Sequence, residues 1–266
     1  MDSTARSAEV GRLVRAWRQA RGLSQLSLSL EPGISARHLS FIETGRSNPS
    51  RDMVLNLARH LEVPLREQNT LLEAAGFAGV HQETPLEAPA MADVRGALEH
   101  ILGASEPNPS LIVNRRYDLL LANRAAQRLI AFFAPRWRGP ANIARLILAE
   151  DGLRPSLVNY EVVAEHMVHR LRTELAALRT RDRDDAKLLE LAIAAERDLR
   201  PAEATSDPAR SILVPVGLSH DGVVIELFTT ITTVGTPLDI TLQELRIETL
   251  FPANAAARAW LAGGLD

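Results

Sequence analysis

Residues 24–50 read SQLSLSLEPGISARHLSFIETGRSNPS, and this stretch decides the fold of the first part of the chain. Ser24 is a suitable N-cap for a short helix, because its hydroxyl can accept a hydrogen bond from a free backbone N–H of the first turn. Pro32 cannot continue that helix, and Gly33 allows the positive φ of a sharp reversal. Ser35 can then cap a second helix. The stretch therefore predicts two short helices joined by a tight turn.

The second helix is predicted over 36–43. Leu39 and Ile42 are three residues apart and so share one buried face. Gly45 suits the left-handed residue that follows a helix end. The alternation of Ser and Leu up to Leu30 would by itself indicate a strand, but the helical segments on both sides favour a helix.

This layout is that of a helix-turn-helix, which sets its second helix in the major groove of DNA. The stretch resembles the Xre/Cro-type helix-turn-helix family, over about residues 9–76. The matching motifs are Leu23-Ser24-Gln25, Gly33-Ile34-Ser35, Ile42-Glu43-x-Gly45 and Asn48-Pro49-Ser50. Ser29 and Pro32 depart from the family, which usually has alanine there, and this affects only the length of the first short helix.

The resemblance implies a role for each residue of the predicted DNA-binding set. Gln25 would bind a phosphate from a helix N-terminus. Ala36, Arg37 and Ser40 would face bases, with His38 also outward. Thr44, Arg46 and Asn48 would lie near the DNA backbone or a base edge. The alternative is a small helical bundle in which Arg37 and Arg46 are ordinary surface charges.

Three further helices complete the predicted DNA-binding domain, 1–78. Ser50 caps the helix after the motif, Pro64 is predicted at the first position of a fifth helix, and Gly76 ends that helix. The apolar faces of the flanking helices are formed by Val10, Leu13, Val14, Trp17, Met53, Val54, Leu57, Ala58, Leu61, Leu65, Leu71, Leu72 and Ala75.

The charge is unevenly distributed along the 266 residues. The whole chain carries −3, but Val10 to Arg51 contains seven arginines and two glutamates, a net +5, so the remainder carries −8. A basic module on an acidic body favours specific DNA binding with modest non-specific affinity. The sequence has no cysteine, no apolar run near 18 residues and no apolar signal region, so we expect a cytoplasmic protein without a membrane span.

The polar segment 79–90 is predicted to be a linker, and the pattern changes after it. Asp221-Gly222 is a strong signal for a hairpin between two apolar runs. Strands followed by helices and then a hairpin predict an α+β domain over 91–266. The segments predicted are helices at 91–102, 123–133, 142–148, 160–180 and 184–199, and strands at 110–113, 117–122, 212–218, 223–233 and 241–251.

This second part is similar to the MmyB-type transcriptional regulators, whose C-terminal domain has a PAS-like ligand-binding fold. The motifs that carry the resemblance are Asn142-Ile-Ala-Arg145, Asp151-Gly-Leu-Arg-Pro155 with Asn159-Tyr160, and the block from Phe228 through Asp239 to Pro252. The expected fold is therefore an all-α N-terminal helix-turn-helix domain plus an α+β PAS-like C-terminal domain. The resemblance implies a sensor of a small apolar ligand, with fatty acids as the leading class.

Six residues are candidates for the ligand site. Arg145 and Asn159 could bind a carboxylate, because a charged group in an apolar cavity needs a donor. Phe132, Phe133, Trp137 and Phe228 could line the cavity. The alternatives are an ion pair for Arg145, a turn cap for Asn159 and ordinary core positions for the aromatic residues.

The sequence offers no constellation for catalysis or for a metal. His166 and His169 share a helical face, but the order His-Glu-x-x-His is absent and no third ligand is evident. Asp182, Asp184 and Asp185 are interpreted as a solvated helix start. No phosphate loop and no nucleophile elbow is present. We therefore expect no enzyme activity, no cofactor and no metal.

Three functions remain open at this point. The first is a ligand-responsive transcription factor, acting as a repressor. The second is a DNA-binding protein whose C-terminal domain serves only dimerisation or partner contact. The third is an enzyme with a DNA-targeting domain, which the missing motifs argue against. A single helix-turn-helix reads few base pairs, so a homodimer on an inverted-repeat operator in double-stranded DNA is expected.

Overall fold

The computed structural model describes residues 3–31, 33–177, 183–199 and 215–263. By their contacts the residues divide into two compact units. The first is Met1–Thr84 with Thr236–Gln243, and the second is Pro85–Gly235 with Glu244–Asp266. The chain therefore leaves the second unit once, between two of its strands, and returns to it.

The first unit is helical, as predicted. Its helices along the N-terminal chain are α1 (Ser3–Ala20), α2 (Gln25–Leu28), α3 (Ala36–Glu43), α4 (Arg51–His60) and α5 (Leu65–Ala74). The alternating Ser-Leu stretch is thus helical in α2 rather than extended. Their apolar faces meet in one core, in which Val10, Leu39, Ile42 and Leu57 are buried.

Serine caps set the start of three of these helices. The hydroxyls of Ser24, Ser35 and Ser50 accept from the backbone N–H groups three residues on, at 2.9, 3.2 and 3.3 Å. Gly33 and Gly45 have φ of +80° and +71°, so the tight turn and the helix end use the left-handed region as predicted. Pro64 differs from the prediction: it is the N-cap of α5, one position before the first helical residue.

The second unit contains the sheet and most of the remaining helices. Its helices are α6 (Ala92–Ala104), α7 (Arg124–Phe133), α8 (Ile143–Leu148), α9 (Tyr160–Ala177), α10 (Arg183–Asp198) and α12 (Ala255–Ala262). Its strands are β1 (Ser110–Val113), β2 (Leu119–Ala122), β3 (Pro215–His220), β4 (Val223–Thr233) and β5 (Arg246–Pro252). A short helix α11 (Ile240–Glu244) precedes β5.

The five strands form one antiparallel sheet in the order β2-β1-β5-β4-β3. β3 and β4 are joined at His220 and Val223 by the predicted hairpin, and Asp221 and Gly222 both have positive φ, as a tight two-residue turn requires. The fold is the α+β arrangement expected, with two strands before the long helices and three strands after them.

Helices cover one face of this sheet. The core there joins Leu111, Leu227 and Ile225 of the strands to Phe133 of α7 and Leu171 of α9. Asparagine side chains cap two of these helices: Asn123 accepts from Ala126 N at 2.9 Å, and Asn142 accepts from Arg145 N at 3.0 Å.

Five predictions need correction or lie outside the described residues. The strand predicted at 241–251 begins only at Arg246, because 240–244 is helical. The predicted linker 79–90 is not loose throughout, since 79–84 is hydrogen-bonded into the first unit. The first residues of the strand predicted at 212–218, the end of the helix predicted at 160–180 and Asp182 lie outside the described residues.

Candidate functional site

The helix α3 is the second helix of the predicted helix-turn-helix, and we call it the recognition helix; it presents a small polar surface. Ala36 and Arg37 are exposed, and His38 and Ser40 are half-buried, while Leu39 on the opposite side is buried. The Arg37 guanidinium lies 5.6 Å from the centre of the Phe41 ring and forms no ion pair with the described residues. The three predicted base-facing side chains, Ala36, Arg37 and Ser40, therefore lie with His38 on the helix that a helix-turn-helix sets against base edges.

The residues after α3 differ in whether their side chains already have a partner within the protein. Thr44 is exposed but its hydroxyl donates to Ser40 O at 2.7 Å. Arg46 is exposed and has no ion-pair partner among the described residues. Asn48 is exposed, yet its amide nitrogen donates to Ala75 O at 3.0 Å. Asn48 therefore also holds the loop against the end of α5.

A buried ion pair joins α1 to the last residue of the recognition helix. Arg18 of α1 contacts the Glu43 carboxylate at two points, Nε to Oε1 at 2.6 Å and Nη2 to Oε2 at 2.8 Å. The Gln25 amide nitrogen donates to the same Oε2 at 2.8 Å. Arg18 Nη1 also donates to Leu23 O at 2.6 Å. The start of α2 and the end of α3 are thereby joined to α1.

The electrostatics of Glu43 follow from this geometry. Burial alone would raise its pKa, but the hydrogen bonds from Arg18 and Gln25 and the positive charge of Arg18 outweigh that effect. The pKa of Glu43 is therefore lowered, and that of Arg18 is raised by the same hydrogen bond. Glu43 is ionised at neutral pH.

Sequence reasoning assigned Gln25 to a phosphate and missed the pair that holds it. The signal was present: Val10, Val14 and Arg18 are spaced by four residues and so lie on one face of α1. A buried arginine in an apolar stripe calls for a carboxylate partner, since an unpaired buried charge is costly. Glu43, next to the buried Ile42, is that partner.

The second unit contains a cavity of about 410 Å³ between the end of α7, the loop after α8 and the end of β3. Its apolar lining includes Phe133 and Ala134, and His220 also lines it. The other lining residues are Pro135, Arg136, Glu150, Asp151, Gly152, Pro155 and Ser156. Its volume lies within the ~300–1,000 Å³ of small-molecule sites.

The structure brings only one of the six predicted ligand residues to this cavity, namely Phe133. Phe132 lies beside it and packs edge-on against His220, with ring centres 5.5 Å apart. Trp137 is half-buried against the core of this unit. Arg145 is half-buried in α8, has no ion pair with the described residues and does not line the cavity.

Two of the six make contacts within the domain, away from the cavity. The Asn159 amide donates to Pro215 O at 2.7 Å and accepts from Gly217 N at 2.9 Å, so it ties the start of α9 to β3. Phe228 stacks on Phe251, its direct partner on β5, with ring centres 5.5 Å apart. Neither lines the cavity.

A polar cluster that the sequence did not reveal lies between α9 and β5. Glu174 accepts from the Tyr117 hydroxyl at 2.9 Å and from Arg246 at 2.8 Å. Arg170 contacts Glu248 at 2.8 Å and lies over the Tyr117 ring. Burial, reinforced by the charge of Glu174, raises the pKa of Tyr117, so its hydroxyl stays protonated and remains a donor.

Two protein-family models match the chain, one in the helical N-terminal part and one in the C-terminal part. A helix-turn-helix family model matches residues 14–68. The model of the MmyB-like transcription regulator ligand binding domain matches residues 94–263, which is more than half of the chain. The chain belongs to the MmyB-like transcription regulators. A comparison with curated proteins finds no match.

As an MmyB-like regulator the protein is a DNA-binding transcription regulator that carries a ligand-binding domain. Both families are regulator domains rather than enzymes. None of the described helices is both long and apolar enough to cross a membrane. Within the described ranges no cluster of three or more His, Cys, Asp or Glu could hold a metal ion, and the His166 ring instead contacts Val162 O at 2.8 Å.

Proposed function

We propose that this MmyB-like regulator is a cytoplasmic repressor that binds an inverted-repeat operator as a homodimer and is controlled by a small apolar ligand, with fatty acids as the first class to test. The observation that carries the DNA part is the outward surface of α3, where Ala36 and Arg37 are exposed and His38 and Ser40 are half-buried. The protein acts by binding and not by catalysis.

The ligand part of the proposal is supported by the cavity beside Phe133. Its lining is apolar at the α7 end, and burial of an alkyl chain would contribute about 0.8 kcal/mol per CH₂ group. Arg136, at the same cavity, is an exposed cation that can contact a carboxylate, and it replaces Arg145 as the proposed donor.

Regulation requires that the ligand bind the DNA-competent and the incompetent arrangements unequally. A tenfold change in operator affinity needs about 1.4 kcal/mol of differential binding. The experiment is an operator titration with and without fatty acids of ten to sixteen carbons, beside direct calorimetry on the same protein. The duplex is one that the protein selects from a random library.

The outcomes separate the parts of the proposal. Loss of operator binding on addition of a fatty acid of one chain length supports a repressor that its ligand releases from DNA. Gain of binding supports an activator, or a repressor, that needs its ligand to bind DNA. Tight lipid binding with an unchanged operator constant rejects the coupling and keeps the cavity as a site. No binding at any length leaves the C-terminal domain as a dimerisation or partner domain, which is the second candidate function.

A further inference from the structure

The segment Thr236–Gln243 belongs to the first unit, although it joins two neighbouring strands of the second unit. Two residues at each end, 234–235 and 244–245, connect it to the sheet, where β4 and β5 are paired up to Thr233 and Arg246. Any change in the spacing or register of these two strands must therefore act on both ends of the segment.

Gln243 anchors the C-terminal end of this segment to α5. Its side-chain oxygen accepts from Leu65 N at 2.7 Å. The N-cap of α5 is Pro64, which has no side chain that could accept a hydrogen bond. The first N–H groups of a helix have no partner within the helix, so Gln243 supplies a cap that the local sequence lacks.

Asp239 and Ile240 anchor the other end. The Asp239 carboxylate accepts from the Thr84 hydroxyl at 2.7 Å and from Thr84 N at 3.2 Å. Ile240 is buried, and its backbone N–H donates to Gln82 O at 2.8 Å. The segment is thus bonded to the end of the N-terminal chain as well as to α5.

Residues 79–84 are in turn fixed on α5. The Asn69 side-chain oxygen accepts from Val80 N at 2.8 Å and His81 N at 3.0 Å, and its nitrogen donates to His81 O at 2.7 Å. A Cβ at Gly79 would lie 2.8 Å from Asn69 Cγ, so this close approach requires glycine. Residues 79–84 and 236–243 therefore form one hydrogen-bonded layer on α5.

The opposite end of α5 contacts the predicted DNA surface. Ala75 O, just after α5, accepts from the side chain of Asn48 in the loop that follows the recognition helix. One helix therefore receives the segment at its N-terminus and this loop at its C-terminus.

We propose that Thr236–Gln243 is the element that transmits the state of the C-terminal sheet to the recognition helix, with Gln243 and Asp239 as its positioning residues. The path runs through α5 to Asn48. The regulatory meaning of this coupling rests on the proposed function, but the mechanical coupling does not. Coupling between sites is established by energetic tests and not by proximity alone, so the test measures it directly.

The first test uses the three tryptophans. Trp17 lies in the first unit, and Trp137 and Trp260 lie in the second. The full chain is labelled with 5-fluorotryptophan, and each fluorine signal is followed by NMR through a urea titration. We expect the three signals of the unchanged protein to disappear with one midpoint. In the double variant Gln243→Ala, Asp239→Ala, the Trp17 midpoint should separate from the other two by at least about 0.5 M.

Two controls restrict the interpretation to the anchors. Leu238→Ala alters a side chain of the same segment that is 88% exposed, and it should leave the midpoints together. The single variant Gln243→Glu, in which Asp239 is retained, keeps an acceptor for Leu65 N and should also leave the midpoints together. Separate midpoints in the unchanged protein, or coincident midpoints in the double variant, would overturn the proposal.

The second test asks whether the recognition helix responds. Glu248→Gln weakens the contact between β5 and Arg170, and its effect on the dissociation constant of the selected duplex is measured with and without the anchor changes. We expect a change of about fivefold with the anchors intact and a clearly smaller one without them. Equal changes in both backgrounds would overturn the proposal. Failure of the unchanged protein to select any duplex would refute the proposed function, whereas the fluorine experiment would still decide the coupling.

Discussion

The amide nitrogen of Gln25 lies 2.8 Å from Oε2 of Glu43, so the first residue of α2 is tied to the last residue of the recognition helix. A side-chain amide nitrogen carries two hydrogens, and this contact uses one of them. The other can still donate to a DNA phosphate. The contact therefore fixes the angle between the two motif helices and also orients a backbone-binding group.

Replacing Gln25 by alanine should weaken all DNA sequences alike. Phosphate contacts position a protein on the duplex but carry no sequence information. Affinities of the Gln25→Ala variant for the selected duplex and for a scrambled duplex, measured by fluorescence anisotropy at one salt concentration, should fall by the same factor. A loss confined to the selected duplex would show that Gln25 reads a base.

Breaking the Arg18–Glu43 pair should destabilise the first unit strongly. Both side chains are nearly buried, so Glu43→Gln leaves an unpaired cation and should cost about 3–5 kcal/mol of unfolding free energy. The double variant Arg18→Met, Glu43→Leu removes both charges and should recover a large part of that loss. Urea unfolding followed at fluorinated Trp17 gives these values. A single variant as stable as the unchanged protein would mean that the pair is replaced by solvent.

The same pair predicts an acid limit for the first unit. Because the pKa of Glu43 is lower in the folded state than its ordinary 4.5, the folded state binds fewer protons than the unfolded chain. The stabilisation is complete above pH 4.5 and is lost as the pH falls through the folded pKa. Unfolding free energies at Trp17 between pH 7 and pH 3 should fall more steeply for the unchanged protein than for Glu43→Gln.

Arg37 should supply sequence preference. It is exposed at the start of α3 and has no ion-pair partner among the described residues, so its guanidinium is available to a base edge. Arg37→Ala should cost about 1–3 kcal/mol on the selected duplex and much less on a scrambled one. Arg124→Ala, which removes an exposed arginine from the second unit, is the matched control. Equal losses on both duplexes would reject base reading.

We expect the protein to bind DNA as a dimer, because a single helix-turn-helix contacts few base pairs. Two recognition helices on an inverted repeat should contact half-sites about one helical turn, ~10 bp, apart. We expect analytical ultracentrifugation to show a dimer on the duplex, and inserting 5 bp between half-sites to abolish tight binding. A monomer at tens of micromolar, both free and with DNA, would contradict this.

The cavity gives a prediction at His220, which lines the cavity and packs against Phe132. His220→Trp enlarges the ring there and should weaken fatty-acid binding by tenfold or more in calorimetry. His220→Gln, of similar size to histidine, should bind much as the unchanged protein does. If both variants bind normally, the ligand occupies another part of the domain.

Local features of the sequence predicted much of the first unit. Ser24, Ser35 and Ser50 identify their helices because a capping side chain acts within three residues of itself. Gly33 and Gly45 mark positions where the backbone needs positive φ. The hairpin at Asp221-Gly222 was predictable for the same reason, since the turn chemistry lies in two adjacent residues.

Contacts between distant residues were not predictable in this way. Asn159 has the residue type of a ligand donor. Its hydrogen bond to Pro215 O depends on where β3 lies in the sheet, which the sequence does not show. Phe228 is apolar in any interpretation, and its stacking depends on the β4–β5 register. The helix at 240–244 interrupts a stretch that was predicted as a strand, and Asp239 just before it accepts from Thr241 N at 2.8 Å and from the distant Thr84 hydroxyl at 2.7 Å.

The placement of Thr236–Gln243 has a consequence for how such regulators can be recombined. A chimaera joined to a foreign sensor near residue 84 would carry α5 without the glutamine that caps it and Thr84 without its carboxylate. The first unit would then lack Thr236–Gln243, which lies some 150 residues further along the chain. Exchange of the two units thus requires two junctions, and a graft that respects only the first would yield a protein with a weakened DNA-binding half.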